Sequence, residues 1–129
     1  YYTEEMGSDL KRRMVSFKEL LTIEKAHWVK LRTDAIERRY MVDDKRSVNL
    51  DPGYLNEAKL VLFTTKDYSH RIYLGDRIFA ENTLFFQNGG FRSYSWTYPD
   101  YASTRVRGFF GKIRKRYRVD IKNRHGGRA

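Results

Sequence analysis

From Leu10 onward the apolar residues fall at steps of four and three: Leu10, Met14, Phe17 and Leu21, then Trp28, Leu31 and Ala35, with Glu24 interrupting the series. An α-helix places such positions on one face. Leu20 and Ile36 widen the stripe, while Lys11, Arg12, Lys18, Lys25, Arg32 and Arg39 lie mostly off it, as solvated positions should. Ser8 suits a helix start, and Ser16 followed by Glu19 is a capping-box pattern. The spacing therefore predicts helical structure over residues 1–41, with two helices broken near residue 15 preferred to one long one.

Residues 42–56 carry turn chemistry, Asp43-Asp44-Lys45-Arg46-Ser47 and Asp51-Pro52-Gly53, and no sustained period, so they read as a connection. Beyond them the period changes to two. Short apolar runs at 59–65 and 70–74, a longer one at 77–87 and another at 91–98 read as strands. Asn88-Gly89 between the last two supplies the positive backbone angles of a tight hairpin, and Pro99-Asp100 closes the final strand. In the C-terminal segment Ile113, Tyr117, Val119 and Ile121 alternate with Arg114, Arg116, Arg118 and Lys122, although Lys115 and Asp120 break the pattern. That alternation predicts a last strand with one apolar and one basic face, entered by a bend at Gly108 and Gly111. Residues 123–129, with Gly126-Gly127 among Arg124, His125 and Arg128, read as a flexible basic tail.

These elements predict a single α+β domain over residues 1–129. One or two N-terminal helices would pack on a twisted antiparallel sheet of about four or five strands, spanning residues 57–122 and ending in the basic strand and tail. At 129 residues the chain is long enough to bury a core without disulfides or a structural metal. It has no cysteine, which excludes thiolate catalysis and thiolate metal sites and points to a reducing, intracellular compartment. No stretch has the length and apolar character of a membrane helix, and Tyr1-Tyr2-Thr3-Glu4-Glu5 lacks the basic-then-apolar order of a signal peptide.

Charge sharpens the functional reading through its location. The net charge is +10, and residues 103–129 alone hold 10 Lys/Arg against a single Asp. A field so localised attracts polyanions, nucleic acid first. On a strand, Arg114, Arg116 and Arg118 would stand about 7 Å apart, close to the phosphate spacing of an extended single strand. Arg105, Arg107, Lys112, Lys122, Arg124 and Arg128 would extend the track, and Arg92, Tyr94, Trp96 and Tyr98, sharing one strand face, would add a platform for stacking unpaired bases. If Ser93, Ser95 and Thr97 face water instead, that aromatic row faces the core.

The expectation is a non-enzymatic nucleic-acid-binding module without a cofactor, single-stranded nucleic acid or RNA being its favoured partner. A structural or assembly protein of a virion or ribonucleoprotein particle, forming homo-oligomers through aromatic surfaces, is the alternative class. A small metal-independent ribonuclease is the third, using His70, Glu81 and Arg92 brought together from neighbouring strands. The three histidines and the carboxylates show no metal-ligand spacing.

Overall fold

The computed structural model describes residues 11–126, with side chains described as far as Arg124. A short 3-10 turn at Ile23–Lys25 leads into helix α1, Trp28–Arg39. Strands β1 (Gly53–Leu55), β2 (Lys59–Thr64), β3 (Arg71–Gly75), β4 (Ile78–Gln87) and β5 (Gly90–Ser93) follow, then the four-residue helix α2 (Pro99–Ala102) and the long helix α3 (Thr104–Gly126). The α+β class is as the periodicity predicts. Four of the five predicted strands are present, and β1 joins them from within the Asp51-Pro52-Gly53 connection.

All strand pairings are antiparallel and β4 organises them. β2 runs along one edge of β4, so β3 and β5 share the other edge end to end: β3 pairs with residues 78–81 and β5 with 84–87. Both flanking hairpins turn through left-handed residues. Asn88 and Gly89 have φ of 51° and 82°, and Asp76 and Arg77 have 54° and 64°, the signature of type I′ turns whose twist matches that of the strands.

A bulge in β4 sets which side chains face which layer. Leu60 pairs with Leu84 and Val61 with Asn82, leaving Thr83 as an extra residue. The insertion switches the alternation. On one side Leu60, Leu84 and Phe91 form a core with Tyr101 of α2, and Leu55, Leu62, Phe86, Val106, Phe110 and Met14 pack against it. On the other side Phe63 and Ile78 pack with Ala26 and Tyr54. Burial there raises the pKa of the Tyr54 phenol.

The gap between β3 and β5 leaves Asn82 and Thr83 without a strand partner on that edge. The turn at Tyr94–Thr97 fills it: the Trp96 indole Nε1–H donates to the Asn82 carbonyl at 2.9 Å, and the Thr97 hydroxyl donates to the Thr83 carbonyl at 2.6 Å. Thr97 Oγ1 also accepts the Tyr94 amide at 2.9 Å.

Three expectations are corrected, together with the expected tail, of which residues 123–126 belong to helix α3. The basic C-terminal strand is helix α3, because Val106, Phe110, Ile113, Tyr117 and Ile121 recur at steps of four, three, four and four, a helical stripe whose first half seats on the sheet through Val106 and Phe110. Gly108 and Gly111 lie inside it and mark no bend. The N-terminal stripe is also only partly helical. Residues 11–22 have no helix, the Ser16–Glu19 capping box is unused, and Ser8 and Leu10 lie outside the described residues. Val15, Ser16, Phe17 and Thr22 are all modest helix formers.

Helix α1 inverts its predicted orientation. Trp28, Leu31 and Ile36 are 48%, 43% and 40% exposed, whereas Lys30 and Glu37 are buried. The polar side turns inward because it is satisfied there: Glu37 accepts the Leu50 amide at 2.7 Å, and Lys30 pairs with Asp34 at 3.2 Å.

Replacing Thr97 by Val strands the Thr83 carbonyl and the Tyr94 amide. We expect a loss of about 2–3 kcal/mol, read as a lowered urea midpoint at unchanged slope, with Thr97→Ser retaining most of the stability.

Candidate nucleic-acid interface

Helix α3 begins where Ser103 caps it, its hydroxyl accepting the Val106 amide at 3.2 Å and its carbonyl the Arg107 amide at 3.0 Å. α2, with Pro99 in its first turn, delivers the chain to that cap and buries Tyr101 in the core. Asp100 meanwhile meets Arg12 at 2.7 Å, fastening the N-terminal segment to the same corner.

The basic residues of α3 divide by face. Arg107 belongs to the scaffold: its Nε donates to the Ala102 carbonyl at 2.9 Å and its Nη1 to the Phe91 carbonyl at 3.1 Å. Arg114, two turns on, lies over the Phe86 ring with its guanidinium carbon 3.4 Å from the centroid, and its Nε donates to the Glu57 carbonyl at 2.7 Å. Arg118 stands 3.8 Å from the Glu57 carboxylate, both groups well solvated, a contact of little energetic weight.

The remaining cations point outward. Arg105, Lys112, Lys115, Arg116, Lys122 and Arg124 are all exposed, and among the described residues no hydrogen bond or ion pair engages their charged ends. At 3.6 residues per turn Arg105, Lys112 and Arg116 fall within an arc of about 40°, forming one row along the helix. Lys115 and Lys122 form a second row about a quarter-turn away. From Arg105 to Lys122 the rows cover about 26 Å of helix axis. Arg124 stands apart, lining an open groove with Arg116, Asp120, Asn123 and Lys18–Leu20.

Lys115 breaks a strand alternation, whereas on the helix it founds the second row. The signal that would have found it is the 106/110/113/117/121 stripe, which begins upstream of the segment that looked like a strand.

The aromatic residues do not form an open platform. Tyr94 and Trp96 stack at 4.4 Å with 11° between their planes, and His70 stacks at 4.8 Å and 17° against Trp96. Phe85 lies 4.7 Å from Tyr94. Trp96 is 36% exposed, but its ring stacks with both Tyr94 and His70 and its N–H is spent on the sheet, so its ring is already engaged within the domain. Ser93 and Ser95 are exposed but Thr97 is buried, so the hydroxyl side of the segment is divided because the strand ends at Ser93. Tyr98 is exposed just ahead of α2, and Arg92 closes its own hairpin by donating to the Gln87 carbonyl at 3.3 Å and the Asn88 carbonyl at 3.5 Å. Arg128 lies outside the described residues.

His70 and Glu81 do converge, as the ribonuclease alternative requires, but Arg71 stands where Arg92 was expected. Glu81 Oε1 meets His70 Nε2 at 2.8 Å and Arg71 Nε at 3.1 Å, while Oε2 lies 3.4 Å from the Thr83 hydroxyl. The carboxylate is only 3% exposed. Among the described residues no group of three His, Asp or Glu side chains is placed to hold a metal ion, and no helix is long and apolar enough to cross a membrane.

A family model matches residues 1–117, which include β1–β5, the α2 corner and α3 as far as Tyr117. The chain belongs to the family described as Domain of unknown function (DUF4416). Comparison with curated proteins and with solved structures finds no match. The matched span holds the whole Arg105–Lys112–Arg116 row and Lys115, whereas Lys122 and Arg124 lie beyond it.

Two substitutions separate scaffold from surface. Arg114→Ala should cost about 1–2 kcal/mol in denaturant titration, because it removes both the Phe86 contact and a bond to Glu57. Arg116→Ala, one position from the end of the match, should stay within about 0.5 kcal/mol of the parent. Glu81→Ala leaves half-buried Arg71 and His70 without their shared partner and should cost about 3–5 kcal/mol, with a red shift of tryptophan emission as the turn at Trp96 loosens.

Proposed function

We propose that this domain binds nucleic acid without catalysis, through backbone phosphates met by the outer side of α3. The observation that carries the reading is the pair of cation rows, Arg105–Lys112–Arg116 and Lys115–Lys122, held on one helix and free of internal bonds among the described residues. Arginine and lysine side chains with no internal partner are a ready source of charge-assisted bonds to phosphate oxygens. Arg107 and Arg114 belong to the support of that surface. The two arguments for an unpaired strand as ligand, a strand-like cation spacing and a stacking platform, are weakened by the helix and by the stacking of Trp96 between domain rings.

Non-enzymatic action fits the Glu81 cluster, whose carboxylate has both oxygens engaged and almost no contact with solvent. The cysteine-free composition fits a reducing compartment, where nucleic acid is abundant. A second reading, assembly into a larger particle, is favoured by the exposed Trp28, Leu31 and Ile36 of α1. Size-exclusion separates it: concentration-dependent growth, suppressed by Leu31→Glu, is its signature, and a monomer at every concentration ends it.

Binding of a fluorescent 20-nucleotide RNA and of a 20-base-pair DNA duplex at several salt concentrations tests the main proposal. Affinity should fall steeply with salt, and Arg105→Ala/Lys112→Ala/Arg116→Ala should flatten the slope of log affinity against log salt by about 2–3 while leaving the fold intact. Failure of both ligands to bind, or unchanged binding by the triple variant, refutes it.

A further inference from the structure

The outer side of α3 has more than charge on it. Between the two cation rows runs a midline occupied by Gly108 and Val119, about 16 Å apart along the axis. Val119 is 56% exposed, and a Cβ placed on Gly108 would meet nothing within 4 Å. A glycine at a solvent-facing helix interior costs about 1 kcal/mol relative to alanine. No neighbouring atom among the described residues requires it there. The helix thus presents a low, uncharged centre flanked by long basic side chains, with its opposite side seated on the sheet through Val106 and Phe110.

This cross-section matches one nucleic-acid surface. The two rows stand about a quarter-turn apart on a cylinder about 10–12 Å in diameter with its side chains, and the B-form major groove is about 12 Å wide with a phosphate backbone on each side. In such a groove one row would reach each backbone. The small Gly108 would let the helix axis come close, and the Val119 methyls would meet base edges, where apolar side chains contact thymine methyl groups. The A-form duplex has a major groove too deep and narrow for side chains to read, and a single strand offers one phosphate row, which leaves half the cations unused. We infer that the ligand of α3 is B-form duplex DNA, with the helix lying along the major groove and its two cation rows on opposite strands. This inference rests on the nucleic-acid reading above and narrows it to one ligand class.

The test compares three probes of one sequence, duplex DNA, duplex RNA and single-stranded DNA, by fluorescence anisotropy at one moderate salt concentration with the whole chain. Duplex DNA should bind on the order of tenfold more tightly than either other probe. Two charge-neutral variants, Gly108→Leu and Val119→Gln, should each weaken duplex DNA binding about fivefold or more while leaving single-strand binding unchanged, since bulk or polarity on the midline disturbs only a ligand that reaches it. Circular dichroism and thermal melting verify that each variant is folded, and a variant that is not folded is replaced in the comparison by the other. Equal or tighter binding of single-stranded DNA or duplex RNA, or midline variants that bind duplex DNA as well as the parent, overturns the duplex inference while the phosphate-binding proposal stands. Absence of binding to all three probes overturns both.

Discussion

The structure depends on how one surplus residue in β4 is accommodated. Thr83 has no counterpart on β2 and sits where β3 has ended and β5 has not begun, so its carbonyl would be buried with nothing to bond. An unsatisfied buried carbonyl is costly, and the Thr97 hydroxyl removes that cost at 2.6 Å. Because Thr97 lies just ahead of Tyr98-Pro99, the same bond fixes where the chain leaves the sheet and turns into α2. Trp96 reinforces the junction through Asn82, and its ring lies between Tyr94 and His70. The sheet irregularity and the placement of the C-terminal helix are consequently one problem with one solution.

The buried polar groups follow the same logic. Glu81 is an unfavourable residue in the middle of a sheet unless its charge is met, and the β3–β4 register brings Arg71 opposite it while the preceding loop brings His70. The arrangement is a closed set of partners next to the bulge, adjacent to the Thr83 hydroxyl. It stiffens the end of the gap that β3 leaves open, as the Trp96 turn stiffens the other. Helix α1 gives the counterexample to apolar-inside reasoning: its burial is decided by Glu37 taking the Leu50 amide, and its apolar side is left to solvent.

Much of the sheet was legible from the chain. Alternation located the strands at 59–64, 71–75 and 78–87 to within a residue and the start of the one at 90–93, whose expected end at 98 overruns it by five residues, and Asn88-Gly89 specified its turn by chemistry alone. The C-terminal element was misread for a definable reason: over Ile113–Ile121 a helical stripe at 113, 117 and 121 with Val119 added coincides with a two-residue period, and only Lys115 and the upstream Val106 and Phe110 tell them apart. Composition located the positive charge correctly, but which arginines are free is a tertiary fact. Arg107 and Arg114 differ from Arg105 and Arg116 only in the direction they face. Glu81 was noticed as a carboxylate, yet its partner Arg71 follows from strand register, which periodicity does not supply.

The division of α3 into an inward pair, Arg107 and Arg114, and an outward set has a consequence for how such a sequence can change over time. A substitution at either inward arginine is screened first by whether the chain folds, since each bonds a carbonyl of another element. A substitution among Arg105, Lys112, Lys115, Arg116 and Lys122 passes that screen almost freely. One helix therefore carries two sets of cations under separate constraint, and the outward set can drift without drawing on the stability of the domain that displays it.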